Sequence, residues 1–205
     1  MLRVLEFPIA AILLLISLPI QLMVALILYM QLGSPIIFLQ IRAGKDGRSL
    51  VVYKFRTMTD DRDADGQLLP DDRRQTSLTR LIRRLRSDEL PQLWLIVRGS
   101  MSLVGPRPLL PSTLKSFGEL GRIRNSVPPG LTGWAQVSGN TRLTNDEKLA
   151  LDLWYVTHRS FSLDLRIMLE TLLVPLRGEV RDPDRLEMAR EWAQQRFGSA
   201  IEGRS

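Results

Sequence analysis

The alternation of apolar and polar positions divides the chain into a greasy leader and a patterned remainder. From Pro8 to Met30 no residue is charged; as a helix, this run of roughly 23 residues would be about 34 Å long, enough to cross a bilayer core. Pro19 sits inside it and frees a carbonyl one turn back, with Ser17 close enough for its hydroxyl to re-satisfy such a group. After Gly33-Ser34-Pro35 the pattern shortens: IIFLQIRA and LVVYKF are rich in β-branched and aromatic residues and flank a turn from Ala43 to Gly47, so a hairpin is predicted. Leu78, Leu81, Ile82 and Leu85 then repeat at helical spacing behind a capping candidate in Thr76 or Ser77, with Arg80, Arg83 and Arg84 on the other faces. Ser87 or Asp88 breaks that helix, and Pro91 suits the first turn of a second one ending near Gly99. PPGLTGWAQVSGN is dense in turn formers. Helices follow near 146–155 and 163–173, the second closing before Pro175, and a peripheral one near 185–197. The expected class is α+β, mostly helical, with a small β-hairpin. The terminal IEGRS, residues 201–205, reads as a protease-recognition scar and plays no part in the fold.

Charge changes the picture of the leader. Its flanks are mildly basic, with Arg3 before and Arg42, Lys45 and Arg48 after, and positive-inside reasoning favours both flanks on the cytoplasmic side. A helix that dips into the membrane and returns meets that preference; on the residues alone, a single spanning helix remains equally open. A net charge of +6 points to anionic partners. Nucleic acid is not expected among them, because no run interleaves basic and aromatic residues. The absence of cysteine excludes disulfides and thiolate metal sites. Asp61, Asp63, Asp65, Gly66 and Asp72 imitate a calcium loop, but Pro70 interrupts it and the last position lacks the usual Glu, so a solvated acidic loop is expected.

Candidate chemistry gathers in LRSDELPQLWLIVRGSMSLVGPRP. Asp88 and Glu89 follow a row of arginines that two acids neutralise only in part, which leaves room for another anion. Asp88 as a helix cap is the plainer reading. Adjacent helical residues face different ways, however, so the pair suits two tasks: a carboxylate nucleophile toward phosphorus and a ligand for a hard cation. Arg107, between Pro106 and Pro108, is presented by a stiff loop. Lys54 alternates with Tyr53 and Phe55, and Gln136 follows Trp134 in a glycine-bracketed loop where its amide can read a base or sugar or satisfy loop backbone. His158, the single histidine, is read as structural. A basic membrane-tethered interaction module, with the acids as caps, fits the same composition.

YKFRTM, SDELPQL, MSLVGPRPLL, PPGLTGWAQVSG and LDLWYV…SFSLDLRIM occur in the order and spacing of the bacterial polyprenyl-phosphate hexose-1-phosphate transferases, the monotopic phosphoglycosyl transferases, and the chain resembles that family from about Leu5 to about Leu176. The resemblance implies transfer of a sugar 1-phosphate from a UDP-sugar to undecaprenyl phosphate at the cytoplasmic face of the bacterial inner membrane, among membrane lipid, giving a lipid diphosphosugar and UMP. It implies Asp88 as covalent nucleophile and Glu89 as the magnesium ligand, with Lys54, Arg83 and Arg107 on basic positions for substrate phosphate. Gln136 and Arg142 are carried as nucleotide-sugar contacts. It also favours the re-entrant leader, broken at Ser17 and Pro19. The expected divisions are then a membrane helix over 1–33, a catalytic domain over 34–180 and a peripheral helix over 181–200. Three positions depart from the family pattern: Leu18 stands where Ser precedes the proline, Ser100 where Asp precedes Met-Ser-Leu, and Asn140 where Arg is frequent.

Overall fold

The computed structural model describes residues 2–202, with side chains from residue 5 to residue 198; the expected terminal scar lies, from residue 203 onward, outside the described residues. Helix α1 (Leu2–Leu32) runs through both Pro8 and Pro19, so the break expected at Ser17 and Pro19 does not interrupt it. By length and composition it could cross a membrane. It nevertheless lies along the rest of the chain from Glu6 to Gln31. Ala10, Ser17, Val24 and Leu28 are buried on one stripe at roughly heptad spacing, whereas Leu15, Ile16, Leu22, Met23, Leu26 and Met30 are exposed. Near its start, the carboxylate of Glu6 accepts a 2.7 Å bond from Ser102; near its end, Gln31 accepts one of 3.0 Å from Thr76. The Ser17 hydroxyl donates to the Leu14 carbonyl at 3.1 Å and accepts from Gln21 at 2.9 Å. This is the neighbour of the Leu15 carbonyl that Pro19 frees, because a helical serine reaches back to the preceding turn.

The predicted hairpin forms as β1 (Ile37–Ala43) and β2 (Ser49–Phe55), antiparallel with Phe38 opposite Lys54. The basic amphipathic segment forms α2 (Ser77–Arg84), capped by Thr76 through a reciprocal box with Thr79. The next segment departs from expectation. Pro91 lies inside a 3-10 turn, Ser87–Gln92, and α3 (Leu93–Val97) begins only after it. A tight turn tolerates the missing proline donor at this point, before any α-helical bond is required.

Two short parallel strands, β3 (Ser102–Val104) and β4 (Gly130–Thr132), bring the distant MSLVGPRP and PPGLTGW segments together. Between them lie α4 (Pro111–Ser116) and α5 (Gly118–Arg124); after them come α6 (Trp134–Val137) and α7 (Asn145–His158). α7 is the central helix of the core. Its Leu149, Leu151, Leu153 and Tyr155 are buried, and the Tyr155 hydroxyl donates to Asp164 at 2.7 Å at the start of α8 (Phe161–Arg177). α8 continues through Pro175 instead of ending before it. The proline falls in the last turns, where only the Thr171 carbonyl loses its helical donor, and Gly178 then ends the helix at φ +75°. α9 (Pro183–Glu202) packs on α7 through a ring ladder of Trp154, His158 and Trp192, so His158 is an exposed stacking partner.

Candidate active site

The acids are delivered by a strained turn. α2 ends at Arg84 with Leu85 as its C-cap, and Arg86 takes the left-handed conformation at φ +57°, which costs a non-glycine residue roughly 1–2 kcal/mol. The chain is thereby redirected into the 3-10 turn beneath α1, burying Asp88 and Glu89 to 8% and 6% exposure. Both line a cavity of about 720 Å³ with Lys54, Arg83, Arg86 and Arg107. A larger groove, among α5, α7 and α9, contains none of the expected site residues.

The two carboxylates have different surroundings. Glu89 is caged: Lys54 Nζ approaches its Oε1 at 2.9 Å, Arg107 grips both oxygens, and Arg86 Nη1 lies 3.5 Å from Oε2. Burial alone would raise its pKa, but Arg107 and Lys54 hold it far below the ordinary carboxylate range. Asp88 takes no such grip. It is pushed up to about 6, first by burial and then by the adjoining charge of Glu89, against the pull of Lys54, Arg83 and Arg107. One acid is thus locked as an anion, and the other is a more basic carboxylate left unclamped at the cavity. That division favours a nucleophilic role for Asp88. Among the described residues its side chain accepts no helix amide, so the capping alternative finds no support.

Arg107 is held from behind. Its carbonyl accepts a 2.7 Å bond from Arg124, whose guanidinium also pairs with Asp152 at 2.7 Å; Arg124 and Asp152 are each only 1% exposed. The loop's position depends on bare backbone as well. A Cβ at Gly130 would lie 2.1 Å from the Gly105 nitrogen, and one at Gly133 2.1 Å from the Gly105 carbonyl oxygen. Glycine is required there because two chains of backbone touch.

The structure therefore brings together Asp88, Glu89, Lys54, Arg83 and Arg107. Gln136 lies at the back of a smaller cavity of about 300 Å³ that shares Arg42 and Arg107 with the first; its amide nitrogen and oxygen are buried without a partner among the described residues. Arg142 is exposed on a 3-10 turn, Asn140–Arg142, and lines neither cavity, so the geometry does not bring it to the site. Ser17 and Ile20 instead face a third, apolar cavity of about 490 Å³ between α1 and α8, which runs to Arg86 and Glu89. Cavity residues to which the sequence assigned no role include Arg42, Arg86, Thr141 and Glu179. Arg42 had a legible signal, since it shares the Phe38 and Gln40 face of β1; Arg86 and Glu179 meet only through the fold.

Magnesium in its usual mode takes one or two carboxylates supplemented by water and substrate phosphate oxygens; here both Glu89 oxygens are held by Lys54, Arg107 and Arg86, so an ion on Glu89 would have to displace one of those partners, while Asp88 is free of such a grip. Glu89 is the ionised candidate and Asp88 lies beside it; no cluster of three or more acids or histidines occurs among the described residues. When bound, such an ion would neutralise phosphate charge.

A buried acid pair in a basic cavity thus adjoins an apolar groove beside an apolar helix, so that charged and apolar surfaces meet at one place. The sequence profile of the bacterial sugar transferases matches residues 1–178, and the chain belongs to that family. It is 50% identical over 143 residues to the uncharacterized sugar transferase EpsL of Bacillus subtilis, covering 70% of this chain and 71% of that protein. It is 42% identical over 179 residues to the undecaprenyl-phosphate glucose phosphotransferase of Komagataeibacter xylinus, covering 80% of this chain and 34% of the relative. A UDP-N-acetylgalactosamine-undecaprenyl-phosphate N-acetylgalactosaminephosphotransferase of Aeromonas hydrophila is 36% identical over 168 residues, or 78% of this chain and 40% of the relative. The chain thus spans less than half the length of the latter two.

Proposed function

We propose that the chain transfers a sugar 1-phosphate from a UDP-sugar to undecaprenyl phosphate through a covalent intermediate on Asp88. The observation that carries this reading is the unequal acid pair: Glu89 gripped by Lys54 and Arg107, Asp88 unclamped in the same basic cavity. An Asp88 oxygen attacks the phosphorus that bears the sugar. The bond from that phosphorus to the bridging oxygen breaks, and UMP leaves with the oxygen and its electron pair. A phosphate oxygen of undecaprenyl phosphate then attacks the same phosphorus and releases the Asp88 carboxylate, giving the lipid diphosphosugar. Each attack joins anion to anion, and Arg83, Lys54 and Arg107 lower its cost by fixed positive charge at the cavity wall. Magnesium is the expected cofactor, on Glu89. Gln136, with both amide atoms unpaired, is the better nucleotide-sugar contact of the two expected, and Arg142 the weaker.

The same reading covers the membrane. The groove between α1 and α8, walled by Leu13, Ile16, Ile20, Leu169 and Leu172, ends at Arg86 and Glu89 and suits a prenyl chain whose phosphate must reach Asp88. We read residues 1–33, which include α1, as a re-entrant element entering and leaving on the cytoplasmic face of the inner membrane, with residues 34–180 as the catalytic domain and 181–200 peripheral to it. Docking of α1 from Glu6 to Gln31 supports this, since a spanning helix would carry half its residues away from a domain on one side.

The test is UMP release from a panel of UDP-sugars in the presence of undecaprenyl phosphate. Asp88→Asn keeps the shape and removes the nucleophilic charge, so release should fall to background; near wild-type release in that variant defeats the covalent mechanism.

A further inference from the structure

Glu179 follows Gly178, the last residue matched to the family, and projects into the same cavity as Asp88 and Glu89. Its carboxylate collects four donors. Arg86 Nη2 donates at 2.8 Å, Asn140 Nδ2 at 2.5 Å, the Thr141 amide at 3.1 Å, and the Thr141 hydroxyl makes a fourth, short bond. Two of the donor residues hold uncommon backbone conformations, Arg86 at φ +57° and Asn140 at φ +46°. Such strain persists only where surrounding structure enforces it. A guanidinium, an amide, a backbone N–H and a hydroxyl converging on one point are also the donor types that hold a phosphoryl group, which offers three oxygens to them where a carboxylate offers two. Arg86 also lies 3.5 Å from Glu89, so the cradle adjoins the reaction centre. Lys54 and Arg107 are engaged by Glu89, and Arg86 is shared between Glu89 and Glu179, whereas the Asn140 amide and the Thr141 amide and hydroxyl are given to Glu179, so the present anion of this cradle is the chain's own.

Glu179 belongs to a short strap. Downstream, Arg181 pairs with Glu147 and the Asp182 amide donates to the Ser138 carbonyl at 3.1 Å, so the strap is fastened at its far end while the Glu179 side chain itself is 23% exposed. A rotation of that side chain into solvent would open the cradle without unfastening the strap.

We propose that Arg86, Asn140 and Thr141 form a phosphate-binding subsite of the cavity, and that Glu179 fills it as an internal counter-anion until a substrate phosphoryl group displaces it. The inference rests on the function proposed above, because both substrates of that reaction carry phosphate. Glu179 would then keep the cavity charge-balanced when empty and set a threshold that weakly bound anions do not pass.

Binding can be read without turnover, by calorimetry on the full chain in lipid-detergent micelles, with inorganic phosphate, UMP and geranyl phosphate as probes. Glu179→Gln should bind inorganic phosphate about tenfold more tightly than wild type, the order expected when one charge-assisted competitor is removed. A larger gain for UMP assigns the subsite to the nucleotide sugar, and a larger gain for geranyl phosphate assigns it to the lipid. Adding Thr141→Val to Glu179→Gln should reverse the gain. Asp60→Asn, which removes an exposed acid at the same cavity but touches no member of the cradle, should leave phosphate affinity within about twofold. Unchanged or weaker phosphate binding by Glu179→Gln overturns the proposal, as does an equal gain from Asp60→Asn. Should Glu179→Gln fail to fold, Glu179→Asp, with its carboxylate drawn back by one methylene, must show a gain in the same direction or the proposal falls. If wild type releases UMP from no UDP-sugar, the proposed function fails while this comparison of affinities still stands.

Discussion

Arg124→Met isolates the support behind Arg107. Arg124 makes two bonds to Asp152, one to Asn125 at 2.9 Å and one to the Arg107 carbonyl, in a region where it and Asp152 are each 1% exposed. Removing one partner of a buried pair leaves the other charge unpaired and costs roughly 3–5 kcal/mol. The Asp152 environment makes the upper half of that range apt, since its Oδ1 already has no hydrogen-bond partner. For a chain of this size, each kcal/mol lowers Tm by about 2–4 °C, so Arg124→Met should melt roughly 8–20 °C lower in detergent-solubilised thermal unfolding. The double variant Arg124→Met/Asp152→Leu removes the orphaned charge and should recover most of that loss. Its kcat/KM for UMP release should nevertheless stay about 100-fold down, because the Arg107 carbonyl has lost its anchor and a displacement near 1 Å is enough for that effect. A Tm within about 2 °C of wild type for Arg124→Met, or a double variant of full activity, refutes the argument that this pair positions Arg107.

Other outcomes follow from the same geometry. Glu89→Gln removes the caged charge, so the magnesium concentration that half-activates UMP release should rise at least about tenfold; an unchanged titration takes the metal role from Glu89. Gly130→Ala places a methyl 2.1 Å from the Gly105 nitrogen and should destabilise by about 1–3 kcal/mol or more, with activity lost in parallel; a silent substitution shows that the β3–β4 contact is looser than described. A cysteine introduced at residue 3 should resist an impermeant thiol reagent applied to intact cells, and labelling from outside would establish a spanning helix.

Local signals made much of the fold legible. Thr76 capping α2 and the β-branched runs of the hairpin each act over a few residues, which is the range a pattern can read. Pro91 and Pro175 misled because a proline marks where an α-helical donor is missing, and both sit where that donor is little needed. The site was legible in part. Asp88, Glu89, Lys54, Arg83 and Arg107 came from motif likeness and meet in one cavity. The difference between the acids was not readable, since it arises from Lys54 and Arg107 reaching Glu89 from 35 and 18 residues away. Glu179 lies 93 residues from Arg86, and no periodicity joins them. Likewise the glycines of PPGLTGW read as turn formers, whereas Gly130 and Gly133 are needed for contact with Gly105.

Intact-protein and peptide mass spectrometry after brief incubation with a UDP-sugar, without lipid acceptor, addresses the central claim most directly. The chain should gain one phosphosugar, mapped to the peptide carrying Asp88, be discharged by undecaprenyl phosphate, and gain nothing as Asp88→Asn. An adduct on another residue, or lipid product formed at the wild-type rate by Asp88→Asn, contradicts the account.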